Sequence, residues 1–398
     1  MSTLITFLGR VPKAENGYRK TCYDFGDEGD VEGLSFFGWA LQRRLRPRRM
    51  VILGTAGSMW DHLFEGDLDL GARAEEERLS LVDAVEGKCV SQSILDDLTE
   101  PLSHQLGCEM CLRIIPYCRD TTEQAEVLHI LAEEIGQGET IDLDVTHGFR
   151  HLPMLGLLAA LHLRRVRDAT IRDIWYGAFD PDTGRAPVTR LGGLLDIADW
   201  LDALSSYERD GDYGVFGDLI GGEVGRLLAE ASFLEGVSRI GQARSRLKRA
   251  LGLLAEQRGD PALNLFQEEL ERRIGWAREE NYYLRQRELA LEYLQRNRYR
   301  DAVLTGLEAF VTLLQRQTNG QYDPDNHVHR EQVLKAFNQQ EPHGSQRYQA
   351  FDSLRRLRNA IAHGSQPKGD EVQRALSSPE EMERLLAELF DRLLPEAS

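Results

Sequence analysis

An arginine, an asparagine and a histidine lie close together near the carboxyl terminus, at Arg358, Asn359 and His363. An arginine keeps its charge at physiological pH and can bind a phosphate, whereas a histidine titrates near neutrality and can move a proton. This combination suits cleavage of a phosphodiester bond. Arg358 and His363 are therefore candidate catalytic residues, with Asn359 directly beside the arginine.

The surrounding sequence predicts a helix that ends at His363. Leu354, Leu357 and Ile361 recur at helical spacing, and Gly364 is a helix stop signal. At roughly 100° per residue, the arginine and the histidine lie about 140° apart on such a helix. They can act together only if the last turn unwinds or if a second copy of the helix faces the first across a two-fold axis. The alternative interpretation is a solvated basic face with an incidental histidine.

A second stretch with chemical groups is the loop from Thr146 to Arg150, after a predicted strand from Thr140 to Val145. It offers a hydroxyl, an imidazole, a guanidinium and a glycine that allows close backbone approach, all of which suit a phosphate. Asp144 would repel a phosphate, so we predict that it accepts hydrogen bonds from the loop. The alternative is an ordinary turn that leads into a helix, with Thr146 as its cap.

Two more polar loops follow predicted strands, Gly9-Arg10 and the stretch Gly54 to Ser58. Predicted strands and helices alternate here, which favours a mostly parallel sheet covered on both faces. Ligands bind such sheets outside the carboxyl ends of the strands. No full Rossmann or Walker motif is present. The residues predicted to bind a phosphate-bearing ligand are Gly9, Arg10, Thr55, Ser58, Thr146, His147, Gly148 and Arg150.

Strand signals stop near Leu194, and helical spacing then dominates. The polar stretch Ser205 to Gly217 predicts a linker, and Thr318 to Arg330 predicts a polar loop. Among the individual elements, we predict a hairpin of strands at 4–7 and 19–25, a helix at 31–45 and an unbroken helix at 224–256. Further helices are predicted at 261–279, 283–296, 300–315, 331–338, 347–362 and 379–393.

The composition excludes several classes of protein. The 398 residues are 41% hydrophobic and carry a net charge of −17, so a large core is available but a general nucleic-acid coat is excluded. The amino terminus does not have the pattern of a signal peptide, and no apolar run approaches membrane-spanning length. The five cysteines fit a reducing compartment. A zinc site at Cys108 and Cys111, with His104 and Cys118, is a weaker alternative to small buried cysteines.

The two motifs resemble known families. The run from Arg358 to His363 resembles the signature of HEPN ribonucleases, an arginine followed after four residues by a histidine. The run Asp144-x-Thr146-His147-Gly148 resembles the signature of the Asp-x-Thr-His-Gly family of CRISPR-associated proteins. Three further stretches look like that family: Phe7-Leu8-Gly9, Leu53-Gly54-Thr55 with Ser58-x-Trp60, and Trp175-Tyr176-Gly177-Ala178.

This resemblance implies a fold and an activity. The fold would be an α/β, Rossmann-like CARF domain with a mostly parallel sheet at residues 1–205, followed by an all-α HEPN domain at residues 206–398. CARF domains of this kind bind cyclic oligoadenylate, which a type III CRISPR complex makes on detecting foreign RNA. Binding then activates the HEPN ribonuclease, in which Arg358 and His363 would be the catalytic residues and Asn359 would orient one of them.

The resemblance further implies a cytoplasmic homodimer, or a larger homo-oligomer, that cuts single-stranded RNA and has no membrane or DNA partner. It would need neither a metal ion nor any cofactor beyond the cyclic oligoadenylate activator. Some relatives also cleave the activator, which is left open here. Two other classes compete with this interpretation: a nucleotide sensor that controls a partner without cutting RNA, and an unrelated α/β protein with a helical dimerisation domain.

Overall fold

A computed structural model of the chain describes residues 2–14, 17–63, 67–68, 75–148, 152–256, 260–318, 327–364 and 369–396. The chain divides into two compact units, Met1–Asp196 and Ile197–Ser398. The division falls before the predicted boundary after residue 205. No helix in the described ranges is long and apolar enough to cross a membrane.

The first unit contains one large sheet and its covering helices. Its strands are β1 (Ser2–Leu8), β2 (Lys13–Ala14), β3 (Gly17–Tyr18), β4 (Thr21–Asp24), β5 (Asp30–Leu34), β6 (Arg49–Gly54), β7 (Glu109–Ile114), β8 (Thr140–Asp144), β9 (Thr170–Gly177) and β10 (Arg185–Arg190). Its helices are α1 (Phe37–Leu45), α2 (Glu75–Glu86), α3 (Gln92–Leu106), α4 (Thr121–Glu134) and α5 (Leu152–Val166).

The order of strands in the main sheet is β5-β4-β10-β9-β8-β1-β6-β7. The five strands from β9 to β7 are parallel, so their carboxyl ends lie along one edge of the sheet. The chain first builds outward from β1 to β6 and β7, and then continues on the other side of β1 with β8 and β9. The order of strands therefore reverses between β1 and β8, which is where sheets of this kind bind ligands.

Both faces of the sheet are buried. Along β1, Leu4 and Leu8 pack into one core with α1, α2 and α3, whereas Ile5 and Phe7 pack into the other core with α4 and α5. A strand that is covered on both faces has a nearly continuous run of apolar residues, and β1 has this pattern. The predicted α/β unit with a mostly parallel sheet is confirmed.

The second unit is helical, as predicted. Its elements are α6 (Gly193–Asp210, which begins in the first unit), α7 (Gly217–Ile220), α8 (Gly222–Gly236), α9 (Ile240–Glu256), α10 (Pro261–Arg273), α11 (Tyr282–Gln295), α12 (Tyr299–Gln317), α13 (His327–Gln340), α14 (Gln346–His363), α15 (Asp370–Ala375) and α16 (Pro379–Leu393). Phe351, Leu354 and Leu357 anchor α14 in the core. Gly306 of α12 allows the ring of Phe390 from α16 to approach closely.

Several element predictions were wrong. The predicted linker is occupied by the end of α6 and by a short 3-10 helix, Tyr213–Phe216, whose aromatic rings are buried. The predicted unbroken helix at 224–256 is interrupted at Ser238, which has a positive φ of 61°. The predicted helix at 31–45 is a strand followed by α1. The strand at Thr21–Asp24 pairs with β5 and β10 rather than with β1, so the predicted hairpin does not form.

The predicted polar loop Thr318 to Arg330 is also partly wrong. Residues 319–326 lie outside the described residues. The structure places His329 and Arg330 within α13, where Arg330 forms an ion pair with Glu308 of α12. The carboxyl end of the predicted loop is therefore the first turn of a helix.

Candidate functional site

The loops after β1 and β8 touch through two glycines. A Cβ atom at Gly9 would lie 2.4 Å from the backbone nitrogen of Gly148, so no side chain fits between the loops. Gly148 itself has φ near +115°, a conformation that other residues rarely adopt. The two predicted loops therefore meet directly at the point where the order of strands reverses.

A cavity opens on the β9 side of this contact, and we call it the His147 cavity. Its volume is about 280 Å³. Its described lining residues come from the loops after β1 and β8, from the end of β9 and the segment that follows it, from the segment around β4, and from Ser35 after β5. The predicted residues among them are Arg10, Thr146, His147 and Gly148, and the polar residues that sequence reasoning missed include Arg19, Tyr23 and Tyr176.

A second cavity opens on the β6 side of the contact, and we call it the Lys88 cavity. Its volume is about 310 Å³, and it shares Arg10 and Gly148 with the first. The predicted residues Gly9, Thr55 and Ser58 line it, together with Lys88, Tyr117 and apolar side chains that sequence reasoning missed. The structure thus brings together seven of the eight predicted ligand-binding residues. The eighth, Arg150, lies outside the described residues.

Asp144 fixes the loop that separates the two cavities. Its buried carboxylate accepts hydrogen bonds from the hydroxyl of Thr6 at 2.6 Å and from the backbone N–H of Thr146 at 2.8 Å. Burial raises the pKa of Asp144 to about 6, although these hydrogen bonds act in the opposite direction. The hydroxyl of Thr146 in turn accepts from the N–H of Gly177 at 2.8 Å and ties the loop to the end of β9.

His147 is held as a neutral imidazole. The N–H of Phe37, the first residue of α1, donates to its Nε2 atom at 3.0 Å. Burial, together with the nearby His62 and Arg19, lowers the pKa of His147 to about 3. Since Nε2 accepts a hydrogen bond, the neutral ring carries its proton on Nδ1. His147 therefore contributes a neutral imidazole, and not a positive charge, to the lining of the cavity.

Ser58 braces the loop after β6. Its buried hydroxyl donates to the carbonyl of Leu8 at 2.6 Å and accepts from the N–H of Thr55 at 3.0 Å. The carbonyl of Gly9 also accepts from the N–H of Met59 at 3.0 Å. These bonds join the ends of β1 and β6, so Ser58 shapes the cavity wall while its hydroxyl is already engaged.

The two cavities are cationic, although the whole chain is acidic. Arg10, Arg19 and Lys88 line them, and none of the described lining residues is acidic. The guanidinium of Arg19 stacks 3.6 Å from the ring centre of Phe179, which fixes its position. Arg19 and Lys88 have no local sequence motif. Only the strand order brings them to the predicted loops.

A third cavity contains the predicted catalytic arginine, and we call it the Arg358 cavity. Its volume is about 360 Å³, and its described lining residues are Arg300, Val303, Leu304, Arg358, Ile361 and Ala362. The guanidinium of Arg358 donates to the side-chain oxygen of Asn359 at 3.0 Å. Asn359 is therefore in contact with Arg358, and its role as an orienting residue stays a prediction.

The structure does not bring His363 to Arg358 within one chain. The helix α14 is regular through His363, and Gly364 ends it with a φ of 61°. The imidazole is exposed and does not line the Arg358 cavity. The last turn of α14 is not unwound, so it does not bring Arg358 and His363 together. The other arrangement considered from the sequence is a second copy of the helix that faces the first across a two-fold axis.

The cysteines do not form a zinc site. Cys108 and Cys118 are buried, and the thiol of Cys111 lies 3.1 Å from the carboxylate of Glu134. Burial raises the pKa of all three thiols, which keeps them protonated. In the described part of the chain, no group of three or more histidine, cysteine or acidic side chains is placed to hold a metal ion.

Comparison with known families agrees with the geometry of the first unit. Residues 3–180 match the family model described as CRISPR system endoribonuclease Csx1, CARF domain. The first unit is therefore similar to a CARF domain of the Csx1 family. The five parallel strands, apart from Ser2 at the start of β1, and both cavities at their carboxyl ends lie within the matched residues.

Two more similarities are more distant. The CRISPR-associated protein MJ1674 of Methanocaldococcus jannaschii is 26% identical over 227 residues, which cover 52% of this chain and 35% of that protein. The chain thus matches about a third of the length of this relative. Enterococcus italicus Csm6 bound to cyclic hexa-2′-fluoro-hexa-dAMP shares 14% identity and a TM-score of 0.39 over 98% of this chain and 95% of that one. A likeness this distant carries no functional argument.

Proposed function

We propose that this protein is an endoribonuclease of type III CRISPR defence that cyclic oligoadenylate activates. The observation that carries the proposal is the pair of cationic cavities at the strand reversal of the CARF domain. A cyclic oligoadenylate presents several phosphates, and Arg10, Arg19 and Lys88 supply matching charges. The neutral N–H of His147 and the backbone at Gly9 and Gly148 add uncharged donors.

The helical unit would supply the chemistry as a HEPN domain. In the proposed reaction, the 2′-hydroxyl of the RNA gives up its proton and attacks the adjacent phosphate. The 5′-oxygen leaves and takes up a proton, so the products carry a 2′,3′-cyclic phosphate and a 5′-hydroxyl. Arg358 holds the phosphate and its developing charge, and His363 transfers a proton. No step of this reaction requires a metal ion, so we expect cleavage to continue in EDTA.

The proposed active site needs two chains. Arg358 and His363 lie on different sides of α14, so one helix can supply only half of a working pair. An isologous dimer would bring the arginine of one protomer and the histidine of the other to the same phosphate. A larger homo-oligomer can be built from the same dimers.

A second candidate function is that of a sensor that controls a partner without cutting RNA. The separation of Arg358 from His363 within the chain favours it, because a helical unit without a composite site has no proton-transfer group beside the arginine. Both candidates use the same activator site in the CARF domain. They differ only in what the helical unit does.

A nuclease assay separates the two functions. Single-stranded RNA is incubated with the protein alone and with cyclic tetra- or hexa-adenylate, and with each of the variants Arg358→Ala and His363→Ala. We expect cleavage only with activator and at least a hundredfold loss in each variant. Arg355→Ala is the matched control, since Arg355 is paired with Asp352 on the same helix. Binding of the activator without any cleavage would support the sensor.

A further inference from the structure

The Arg358 cavity contains a second arginine that the proposed chemistry does not use. Arg300 belongs to the first turn of α12, and Arg358 to the last two turns of α14. The wall between them is apolar and consists of Val303, Leu304, Ile361 and Ala362. Two cations beside an apolar wall can hold the phosphates of a nucleotide strand while a ribose or base packs against the wall.

Arg300 has no evident structural role. It is exposed, and a cation in the first turn of a helix opposes the helix dipole. Its neighbour Arg298 differs, since it pairs with Asp301 and donates to the carbonyl of Asp210. In the described residues, Arg300 forms no ion pair.

Arg358 likewise has no acidic partner in the described residues, although the chain is rich in carboxylates. On the same helix, Arg355 and Arg356 both pair with Asp352. Two cations in one cavity without a compensating carboxylate repel each other, and a bound anion relieves that repulsion. The arrangement therefore favours an occupant with more than one negative charge.

We propose that Arg300 binds the phosphate next to the one held by Arg358, on the RNA strand that is being cut. This inference rests on the proposed function, because it names a second substrate contact of the same site. Arg300 is then a substrate-binding residue: its loss weakens binding of the strand and leaves the bond-breaking step intact.

The test measures RNA binding separately from cleavage. Single-stranded 2′-O-methyl RNA, which lacks the attacking hydroxyl, is titrated by fluorescence anisotropy between 50 and 200 mM salt, with and without cyclic tetra- and hexa-adenylate. We expect Arg300→Gln to bind about tenfold more weakly at low salt. The slope of log K against log salt should become shallower by about 0.7, the value for one lost phosphate contact on a single strand.

Cleavage of ordinary RNA supplies the second measurement. Arg300→Gln should raise KM about tenfold and leave kcat within about twofold of wild type. Arg300→Lys keeps the charge and should recover most of the binding. Arg392→Gln removes another exposed arginine, one from α16 outside the cavity lining, and should behave like wild type.

Three results overturn the inference: wild-type binding and salt slope in Arg300→Gln, an equal loss in Arg392→Gln, or a loss confined to kcat. Failure of the proposed function looks different. If the wild-type protein binds 2′-O-methyl RNA in an Arg300-dependent way but never cleaves ordinary RNA, the phosphate contact stands and the nuclease assignment fails.

Discussion

The protonation state of His147 decides how its loop can recognise an anion. A histidine next to a phosphate is usually expected to be charged. Here burial lowers the pKa of the ring, His62 and Arg19 lower it as well, and the N–H of Phe37 donates to one ring nitrogen, so the neutral ring is favoured. Among the described lining residues, the positive charge that a phosphate needs comes from Arg10, Arg19 and Lys88.

The depressed pKa of His147 predicts an effect of pH on stability. The folded value is about 3 and the ordinary value 6.5, so between these limits the unfolded chain binds more protons at this ring than the folded chain. The contribution of His147 to the free energy of unfolding is therefore at its maximum above pH 6.5, and it decreases as the pH drops toward 3. Thermal unfolding followed from pH 7 to pH 4.5 should therefore show a smaller loss in His147→Asn than in wild type.

The control for this experiment is His129→Asn, which removes an exposed histidine of α4 that pairs with Glu133. Its unfolding profile should follow that of wild type. Asp144 acts in the opposite direction, because its folded pKa of about 6 makes its contribution fall as the pH rises through the interval from 3.8 to 6. That contribution is common to all three proteins and cancels in the comparison. Equal profiles for His147→Asn and wild type would show that the folded protein carries a charged His147.

At this scale, sequence reasoning found the residues that belong to a local motif. A short sequence motif identifies them, because Asp144, Thr146, His147 and Gly148 lie within five consecutive positions. Lys88 and Arg19 reach the same cavities from distant parts of the chain. Lys88 and Arg19 line the cavities because the order of strands in the sheet brings their segments there, and that order cannot be read from a single sequence.

At the scale of the element, the site depends on how closely two strand ends approach. The loops after β1 and β8 pack backbone against backbone, and the loop after β6 is tied to β1 through Ser58. The three loops therefore act as one unit, in which displacement of one strand end shifts both cavities.

We predict that Gly9→Ala damages this unit. The added Cβ would meet the backbone of Gly148 at 2.4 Å, where no flexible side chain can move aside. The expected loss of stability is about 3 kcal/mol, at the upper end for overpacking. Activator binding, measured by calorimetry with cyclic tetra- and hexa-adenylate, should fall below detection even where the variant remains folded.

Gly252→Ala is the matched control. Gly252 lies within α9, and a Cβ there meets no atom within 4 Å. That variant should gain about 1 kcal/mol from better helix propensity and bind activator like wild type. Normal binding by Gly9→Ala would mean that the contact between the two loops has no part in recognition.

The elements themselves were predictable where periodicity was strong, as in α14, α16 and the buried strands β1 and β8. Predictions failed where one residue changes the path of the chain. Ser238 adopts a positive φ and separates α8 from α9, although helical spacing of apolar residues continues across the break. The polar stretch after Ser205 forms the end of α6 and a 3-10 helix because Tyr207 of the first, and Tyr213 and Phe216 of the second, are buried in the core.

For the whole molecule, the proposed activity depends on pairing two chains. The helix α5, which follows the His147 loop, carries an exposed apolar face: Met154 is 68% exposed and Leu158, one turn later, is 56% exposed. A two-fold axis at this face would cover both side chains. It would also bring two copies of the cationic cavities toward one symmetric ligand.

The last prediction is that this face holds the dimer together. Light scattering of the wild-type chain should give a mass near twice 45.2 kDa, and Leu158→Glu, which places a charge on the face, should give a mass near 45.2 kDa. The separated chains should lose RNA cleavage as well, because Arg358 and His363 of one chain cannot reach each other. Leu265→Glu is the control, since Leu265 is 64% exposed on α10 of the helical unit. If Leu158→Glu remains a dimer, or if Leu265→Glu dissociates equally, the chains pair through another surface. A monomeric Leu158→Glu that still cuts RNA at the wild-type rate would refute the composite active site itself.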